Sequence, residues 1–210
     1  MGSMKPITHF ILSPAHSGGR RAATLARPEA DFDLAVRFRS EGAEIGEVFS
    51  FLSGLYFRGK MAYVDRFGSP ASGLPAGWVI TSSRGLLAPD TRIGPDDLRE
   101  FAGARIDRRE PAYTEPLART ASRIFRDVPA DARVVLLGSI ATAKYVEELL
   151  QHLGERLLVP EPFIGMGDMQ RGALMLRAAA AGEELPYIPA LDAIVRRNTG
   201  RPVRPAPDPR

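Results

Sequence analysis

The chain has 210 residues, 44% of them hydrophobic and 25% charged, which is typical of one ordinary globular domain. It contains no cysteine, which excludes disulfide bonds, thiolate nucleophiles and cysteine-bound zinc. The three histidines lie far apart, and no apolar stretch approaches the roughly 20 residues that span a bilayer. We therefore expect a cytoplasmic protein with no metal, no cofactor and no membrane partner.

The positive charge is concentrated near the carboxyl end. The formal net charge is +3, and residues 196–210 contain five arginines and one aspartate, so they carry +4 and the first 195 residues about −1. The proline- and arginine-rich stretch 198–210 is typical of a disordered tail. We expect residues 1–4 to be a cloning scar followed by the start methionine, and residues 5–197 to form a single domain.

Five short apolar runs predict strands, at residues 7–13, 31–39, 78–82, 133–137 and 156–159. The first is partly alternating and is expected near a sheet edge. The second alternates Phe32, Leu34, Val36 and Phe38 with charged residues, the pattern of a strand with one wet face. The last three are continuously apolar, as in strands buried on both faces of a parallel sheet.

Helical periodicity fills most of the gaps. Helices are predicted at residues 47–67, with possible breaks at Gly54 and Gly59, and at 115–125, 141–153, 168–181 and 190–197. Residues 68–77 form a predicted loop, and a short helix is expected after Pro95. The predicted fold class is α/β, with a small, mostly parallel sheet of about five strands flanked by helices.

Polar, glycine-bearing turns follow several of the predicted strands. In open α/β sheets ligands bind at the carboxyl ends of the strands, so these turns are expected to converge on one site. The first turn carries hydroxyls, glycines and cations suited to an anion, although a solvated loop is the alternative. Its candidate binding residues are Ser13, His16, Ser17, Gly18, Gly19, Arg20 and Arg21.

The turn after the third predicted strand adds Ser82, Ser83 and Arg84 as candidate phosphate-binding residues. Asp90 follows a few residues later. A carboxylate there could orient a water or stabilise a cationic sugar, as in glycosidic-bond enzymes, or it could only cap a turn.

Two helical segments supply further candidates. Tyr56 could stack on a base while Lys60 meets phosphate, or both could be ordinary core and surface residues. Asp168 and Arg171 open a predicted helix, where Asp168 is a candidate catalytic carboxylate or simply the N-cap. Phe163 is a second candidate for base stacking. Lys144 and Tyr145 are weaker candidates.

Four of these segments, in the same order and spanning about residues 10 to 178, resemble motifs of the YaaA family, often called peroxide-stress proteins. The segments are Leu12-Ser13-Pro14-Ala15, Leu55-Tyr56-Phe57-Arg58-Gly59, Ser82-Ser83-Arg84-Gly85-Leu86-Leu87-Ala88-Pro89 and Arg171-Gly172-Ala173-Leu174-Met175. His16 stands where the family usually has lysine. The resemblance implies an α/β core with helical additions, a positively lined cleft, association with DNA and a comparison with DNA glycosylases.

We therefore expect a DNA-directed enzyme that hydrolyses the N-glycosidic bond of a flipped, damaged or modified base. In this hypothesis Asp90 or Asp168 stabilises the sugar, Tyr56 or Phe163 stacks on the base, and the arginines and Lys60 hold phosphates. Two alternatives stay open: a non-catalytic DNA-binding stress-response protein, and an enzyme that processes free nucleotides or nucleosides.

Overall fold

A six-stranded sheet lies at the centre of the protein in the computed structural model, which describes residues 6–71, 73–140 and 143–199. The strands are β1 (Thr8–Leu12), β2 (Ala43–Glu44), β3 (Gly77–Ile80), β4 (Leu86–Leu87), β5 (Arg92–Ile93), β6 (Arg133–Leu137), β7 (Leu157–Pro160) and β8 (Tyr187–Pro189). The helices are α1 (Arg20–Ala26), α2 (Asp33–Ser40), α3 (Ile45–Ser53), α4 (Leu55–Phe67), α5 (Pro95–Gly103), α6 (Pro111–Asp127), α7 (Ala143–Leu153), α8 (Asp168–Ala181) and α9 (Ala190–Thr199).

The sheet has the order β4-β3-β1-β6-β7-β8, and β2 and β5 pair separately. The four inner strands are parallel, whereas β4 and β8 run antiparallel at the two edges. The fold is therefore α/β with a mixed, mostly parallel sheet, as the sequence predicts.

Helices cover both faces of the sheet, and successive side chains of β1 enter two different cores. Phe10 and Leu12 pack with residues of α1 to α5 and α8. Ile11 packs with residues of α6, α7 and α9 on the opposite face. Burial on both faces explains why the inner strands read as continuous apolar runs.

The prediction that β1 lies near a sheet edge is wrong, because this strand pairs with β3 on one side and with β6 on the other. Its two polar residues suggested exposure, but both are fully buried. His9 is accommodated because its Nδ1 lies 2.9 Å from the Pro75 carbonyl oxygen and its ring packs on Trp78. Burial lowers the pKa of His9, which favours the neutral ring.

The predicted strand at residues 31–39 is also wrong, because this segment contains the helix α2. Ala35 and Phe38, three positions apart, share the buried face, while Val36 remains 47% exposed. Arg37 bonds Asp33 one turn earlier and Glu47 of α3, which fixes the helix to its neighbour. The alternation of apolar and charged residues was thus compatible with a short helix as well.

Most predicted helices are confirmed, with shifts at their ends. The predicted break at Gly54 separates α3 from α4 at a positive φ of 61°, whereas Gly59 lies inside α4. The bounds of α8 match the prediction, and Gly182 closes it in the left-handed conformation. The N-cap is Gly167 rather than Asp168, which is the first residue of the helix.

The remaining differences concern short elements. The sequence did not reveal α1, β2, β4, β5 or β8, none of which exceeds seven residues. The last helix, α9, ends at Thr199, two residues into the predicted tail. Residues 1–5 and 200–210 lie outside the described part of the chain. None of the helices in the described part is long and apolar enough to cross a membrane.

Candidate functional site

A cavity of about 470 Å³ lies where the turns that follow β1, β3 and β6 meet, and we call it the strand-end cavity. Turns after three parallel strands open at the same edge of the sheet, which is where such folds bind ligands. Its lining residues are Ser13, Pro14, Ala15, His16, Ser17, Gly18, Phe49, Ser53, Tyr56, Ser82, Phe101, Ala102, Ala104, Ile106, Ser139, Lys144, Tyr145 and Asp168.

The first predicted turn forms one wall of this cavity, but only its first half takes part. Ser13, His16, Ser17 and Gly18 line the cavity, whereas Gly19, Arg20 and Arg21 do not. Both arginines are exposed on α1, and Arg21 donates to the carbonyl oxygen of Phe51. The anion-binding cluster expected at this turn is therefore reduced to hydroxyls and His16 at the cavity itself.

Two glycines let α4 and α8 approach until their backbones touch. A Cβ at Gly59 would lie 2.6 Å from the Gly172 carbonyl oxygen, and one at Gly172 would lie 2.8 Å from Tyr56 Cα. Both distances are shorter than van der Waals contact, so a side chain at either position is excluded without a shift of the helices. This crossing brings Tyr56 and Lys60 of α4 next to Asp168 and Arg171 of α8.

Lys60 is fully buried, although the sequence predicted that it either meets phosphate or faces solvent. Its Nζ lies 2.8 Å from both the carbonyl oxygen and the Oγ of Ser13, and 3.9 Å from the centre of the Tyr56 ring. It pairs with no carboxylate among the described residues. Burial lowers the pKa of Lys60 to about 7, although the nearby Asp168 acts in the opposite direction.

Tyr56 is 7% exposed and lines the cavity beside Lys60. Among the described residues its Oη has no partner at hydrogen-bond distance and angle; burial raises the pKa of the phenol, although the nearby Arg171 and the Ser13 hydroxyl act to lower it. A buried hydroxyl normally finds a partner, so this atom is available to a molecule in the cavity. Tyr145 on the same lining is half-buried, and burial raises its pKa to about 12.

Arg171 acts inside the protein rather than on a ligand. Its side chain is 4% exposed, and its Nη1 lies 3.3 Å from Asp168 Oδ1. Its Nη2 donates to the Phe163 carbonyl oxygen and its guanidinium lies over the Phe163 ring. Phe163 is 1% exposed and does not line the cavity, so the expected base stacking by this residue has no place at the site. Asp168 does line the cavity, with a side chain that is 64% exposed.

The second predicted turn contributes Ser82 to the cavity but not Ser83 or Arg84. Ser82 is buried and donates to the Phe101 carbonyl oxygen. Arg84 pairs with Glu100 and with Asp97, its Nη2 lying 2.7 Å from Asp97 Oδ1. These contacts raise the pKa of Arg84 and tie its guanidinium to α5, so it is not available as a free phosphate ligand.

The two candidate catalytic carboxylates are not brought together. Asp90 is exposed in a turn closed by a 3.0 Å bond from Thr91 N to the Ala88 carbonyl oxygen, and it does not line the cavity. The structure thus corresponds to the alternative in which Asp90 belongs to a turn.

Several lining residues had no signal in the sequence. Phe49 and Phe101 lie on helices, and they reach the cavity because α3 and α5 pack against the strand ends. Ser139 follows β6 within a Gly-Ser turn, which was a visible but weak signal.

Among residues 6–71, 73–140 and 143–199, no three histidine or acidic side chains are grouped so that they could hold a metal ion. Comparison of the chain with models of protein families, with curated proteins and with solved structures finds no match, so the likeness to the YaaA family rests on the sequence motifs alone.

Proposed function

We propose that the protein hydrolyses the N-glycosidic bond of a nucleotide unit held in the strand-end cavity. The observation that carries this proposal is the position of Asp168, the one carboxylate among the described lining residues of a cavity whose wall also contains aromatic rings and hydroxyls. Cleavage of a glycosidic bond passes through an oxocarbenium-like sugar, which a nearby carboxylate stabilises.

The dimensions and chemistry of the cavity suit such a ligand. Its volume of about 470 Å³ falls within the range of small-molecule sites. Tyr145 offers a ring face for a base, as does the side of the Tyr56 ring that Lys60 does not cover. The Ser53 hydroxyl offers a donor and an acceptor for the base edge, and Ser82 Oγ, which donates to Phe101, offers an acceptor. In this arrangement Asp168 faces the sugar and orients the attacking water.

In the DNA form of the proposal, the nucleotide unit is a damaged or modified base that has been extruded from the duplex. His16 and Lys144 line the cavity and are exposed, so they are placed to meet the flanking phosphates. The likeness to the YaaA family supports this form.

A free nucleotide or nucleoside is the second candidate substrate. The pairing or burial of several candidate phosphate-binding cations favours it. Arg84 is paired with two carboxylates, Arg171 is buried, and Lys60 is enclosed beneath Ser13. Fewer cations than expected are therefore free to hold a long phosphate backbone, on which the affinity for DNA depends.

The test incubates the protein with DNA that carries normal, damaged or hypermodified bases and, separately, with free nucleosides and nucleotides, and measures released base by chromatography. Asp168→Asn is expected to reduce base release about 100-fold or more, the scale of a positioned carboxylate. Asp90→Asn is the matched control, because Asp90 is an exposed aspartate outside the cavity.

Release from DNA alone would establish the DNA form, and release from free nucleotides alone would establish the second candidate. If base release is absent from every substrate while DNA binds in a salt-sensitive way, the protein is a non-catalytic DNA-binding protein. Base release that survives Asp168→Asn but is lost in Asp90→Asn would overturn the assignment of Asp168.

A further inference from the structure

The proposed hydrolysis of a glycosidic bond does not use the pair formed by Ser13 and Lys60. Ser13 is 4% exposed and lines the strand-end cavity at the carboxyl end of β1. Lys60 lies directly behind it, with Nζ 2.8 Å from Ser13 Oγ. A serine hydroxyl thus lies between an enclosed amine and an open cavity.

The hydrogen bonds around the amine suit its neutral form. Lys60 Nζ donates to both the carbonyl oxygen and the Oγ of Ser13. A neutral amine has two N–H donors and one lone pair, so after deprotonation it can keep the bond to the carbonyl oxygen while its lone pair accepts from the Ser13 hydroxyl. Among the described residues the Ser13 hydroxyl makes a weak contact with the Leu137 carbonyl oxygen at 3.4 Å, and it also interacts with the Tyr56 phenol, whose pKa it lowers.

The charged groups that face the amine come from α8. Asp168 raises the pKa of Lys60 and Arg171 lowers it, and these two side chains are themselves paired at 3.3 Å. On α4 itself the amine faces the rings of Tyr56 and Phe57. Burial has a larger effect than either charge on α8, so the pKa of Lys60 falls to about 7.

We propose that Ser13 is a nucleophile and Lys60 its general base, and that the pair cleaves a small, uncharged carboxylic ester bound in the strand-end cavity. A serine activated by an adjacent base is a general device of covalent catalysis. The wall formed by Phe49, Phe101 and Ile106 is apolar and suits an uncharged ligand. This activity goes beyond the hydrolysis of a glycosidic bond and uses different residues.

The reaction needs only water as a co-reactant. Ser13 Oγ bonds to the carbonyl carbon while its proton passes to Lys60 Nζ. The bond from that carbon to the alkoxide leaving group then breaks, and the leaving group takes the proton from Lys60. A water molecule next attacks the acyl carbon and gives a proton to Lys60. The bond to Ser13 Oγ breaks, Ser13 regains the proton, and a carboxylic acid is released.

The test measures covalent labelling of the full chain by phenylmethylsulfonyl fluoride, with the site located by peptide mass spectrometry. In this probe Ser13 Oγ bonds to sulfur, fluoride leaves, and the proton passes to Lys60. We expect one adduct, on Ser13, whose rate of formation rises with pH around a midpoint near 7. Lys60→Met is expected to reduce this rate about 100-fold or more.

Three variants keep the result interpretable. Lys60→Met replaces a buried amine by an apolar side chain of similar length, so it is expected to fold, which circular dichroism verifies. Ser50→Ala removes a serine outside the cavity and should label as the parent does. In Asp168→Asn the labelling should persist with a lower midpoint, because Asp168 raises the pKa of Lys60, while base release is lost.

No adduct on Ser13 at any pH, or an adduct that forms equally fast in Lys60→Met, would overturn the proposal. Either result would leave the assignment of Asp168 untouched, because base release is measured independently. Loss of base release in Asp168→Asn would likewise say nothing against Ser13.

Discussion

Lys60 should make the stability of the protein depend on pH between about 7 and 10.5. Its pKa is about 7 in the folded protein and about 10.5 in the unfolded chain. Below pH 7 both states bind the proton, and between the two values only the unfolded state binds it. The free energy of unfolding therefore rises with pH through this window, by an amount on the order of 5 kcal/mol.

The measurement compares urea unfolding of the parent, Lys60→Met and Lys144→Met from pH 6 to 10. Lys60→Met should lose this rise, because it removes the buried amine, whereas Lys144→Met removes an exposed lysine and should keep it. Parallel pH profiles for the parent and Lys60→Met would contradict the lowered pKa.

Tyr56 is expected to show a conflict between stability and ligand binding. Its buried Oη has no partner among the described residues, so Tyr56→Phe should stabilise the free protein by about 1 kcal/mol. The same change should weaken binding of any ligand that uses the hydroxyl. Thermal unfolding, with and without substrates from the base-release panel, measures both effects.

Tyr113→Phe is the matched control for this change. The Tyr113 Oη donates to the Lys144 carbonyl oxygen at 2.8 Å, so its removal should destabilise the protein by about 1 kcal/mol. If Tyr56→Phe destabilises the free protein to the same extent, the Tyr56 hydroxyl has a partner within the fold.

At the scale of elements, the contact between α4 and α8 controls the geometry of the site. Gly59→Ala is expected to destabilise the protein by about 1–3 kcal/mol, since its Cβ would lie 2.6 Å from the Gly172 carbonyl oxygen. The same displacement should separate Tyr56 and Lys60 from Asp168 and reduce activity. Urea denaturation and base release measure the two consequences.

Gly103→Ala provides the control, because Gly103 ends α5 and nothing lies within 4 Å of the position of its Cβ. This substitution should be neutral or slightly stabilising. Equal losses of stability for the two substitutions would mean that α4 and α8 can move apart at little free-energy cost.

The elements also show where sequence periodicity is informative. The buried strands β3, β6 and β7 and the long helix α8 were predictable, because long or continuous apolar patterns allow one interpretation. The short segment of α2 alternated like a strand, and only its packing through Ala35 and Phe38 made it a helix. A local pattern of eight residues does not distinguish a strand from a helix when tertiary contacts favour the structure that the pattern does not.

At the scale of the whole molecule, the distribution of charge predicts that binding of DNA depends on the arginines near the carboxyl end, whereas binding of a free nucleotide does not. Residues 200–210 contain three arginines and one aspartate, which lie outside the described part of the chain. Deleting them should weaken binding to DNA and reduce the slope of log affinity against log salt by at most about 3. Binding of a free nucleotide should not change.

Fluorescence anisotropy with a labelled duplex, measured at several salt concentrations, tests this prediction. Arg119→Ala, which removes one exposed arginine of α6 outside the cavity, shows what the loss of a single surface charge contributes. An unchanged slope after deletion would mean that these arginines do not contact DNA.

By itself the sequence determined the α/β class, the parallel inner strands and the location of a polar site at the strand ends. These follow from local apolar patterns and from the rule that such sheets bind ligands at one edge. Only the tertiary structure decided which polar residues meet there. Lys60 became a buried partner of Ser13, Arg84 paired with Glu100 and Asp97, and Asp90 lies in a turn outside the cavity. The physical reason is that the pairing and burial of a side chain depend on how the helices cross. Contacts between residues far apart in the chain determine that crossing.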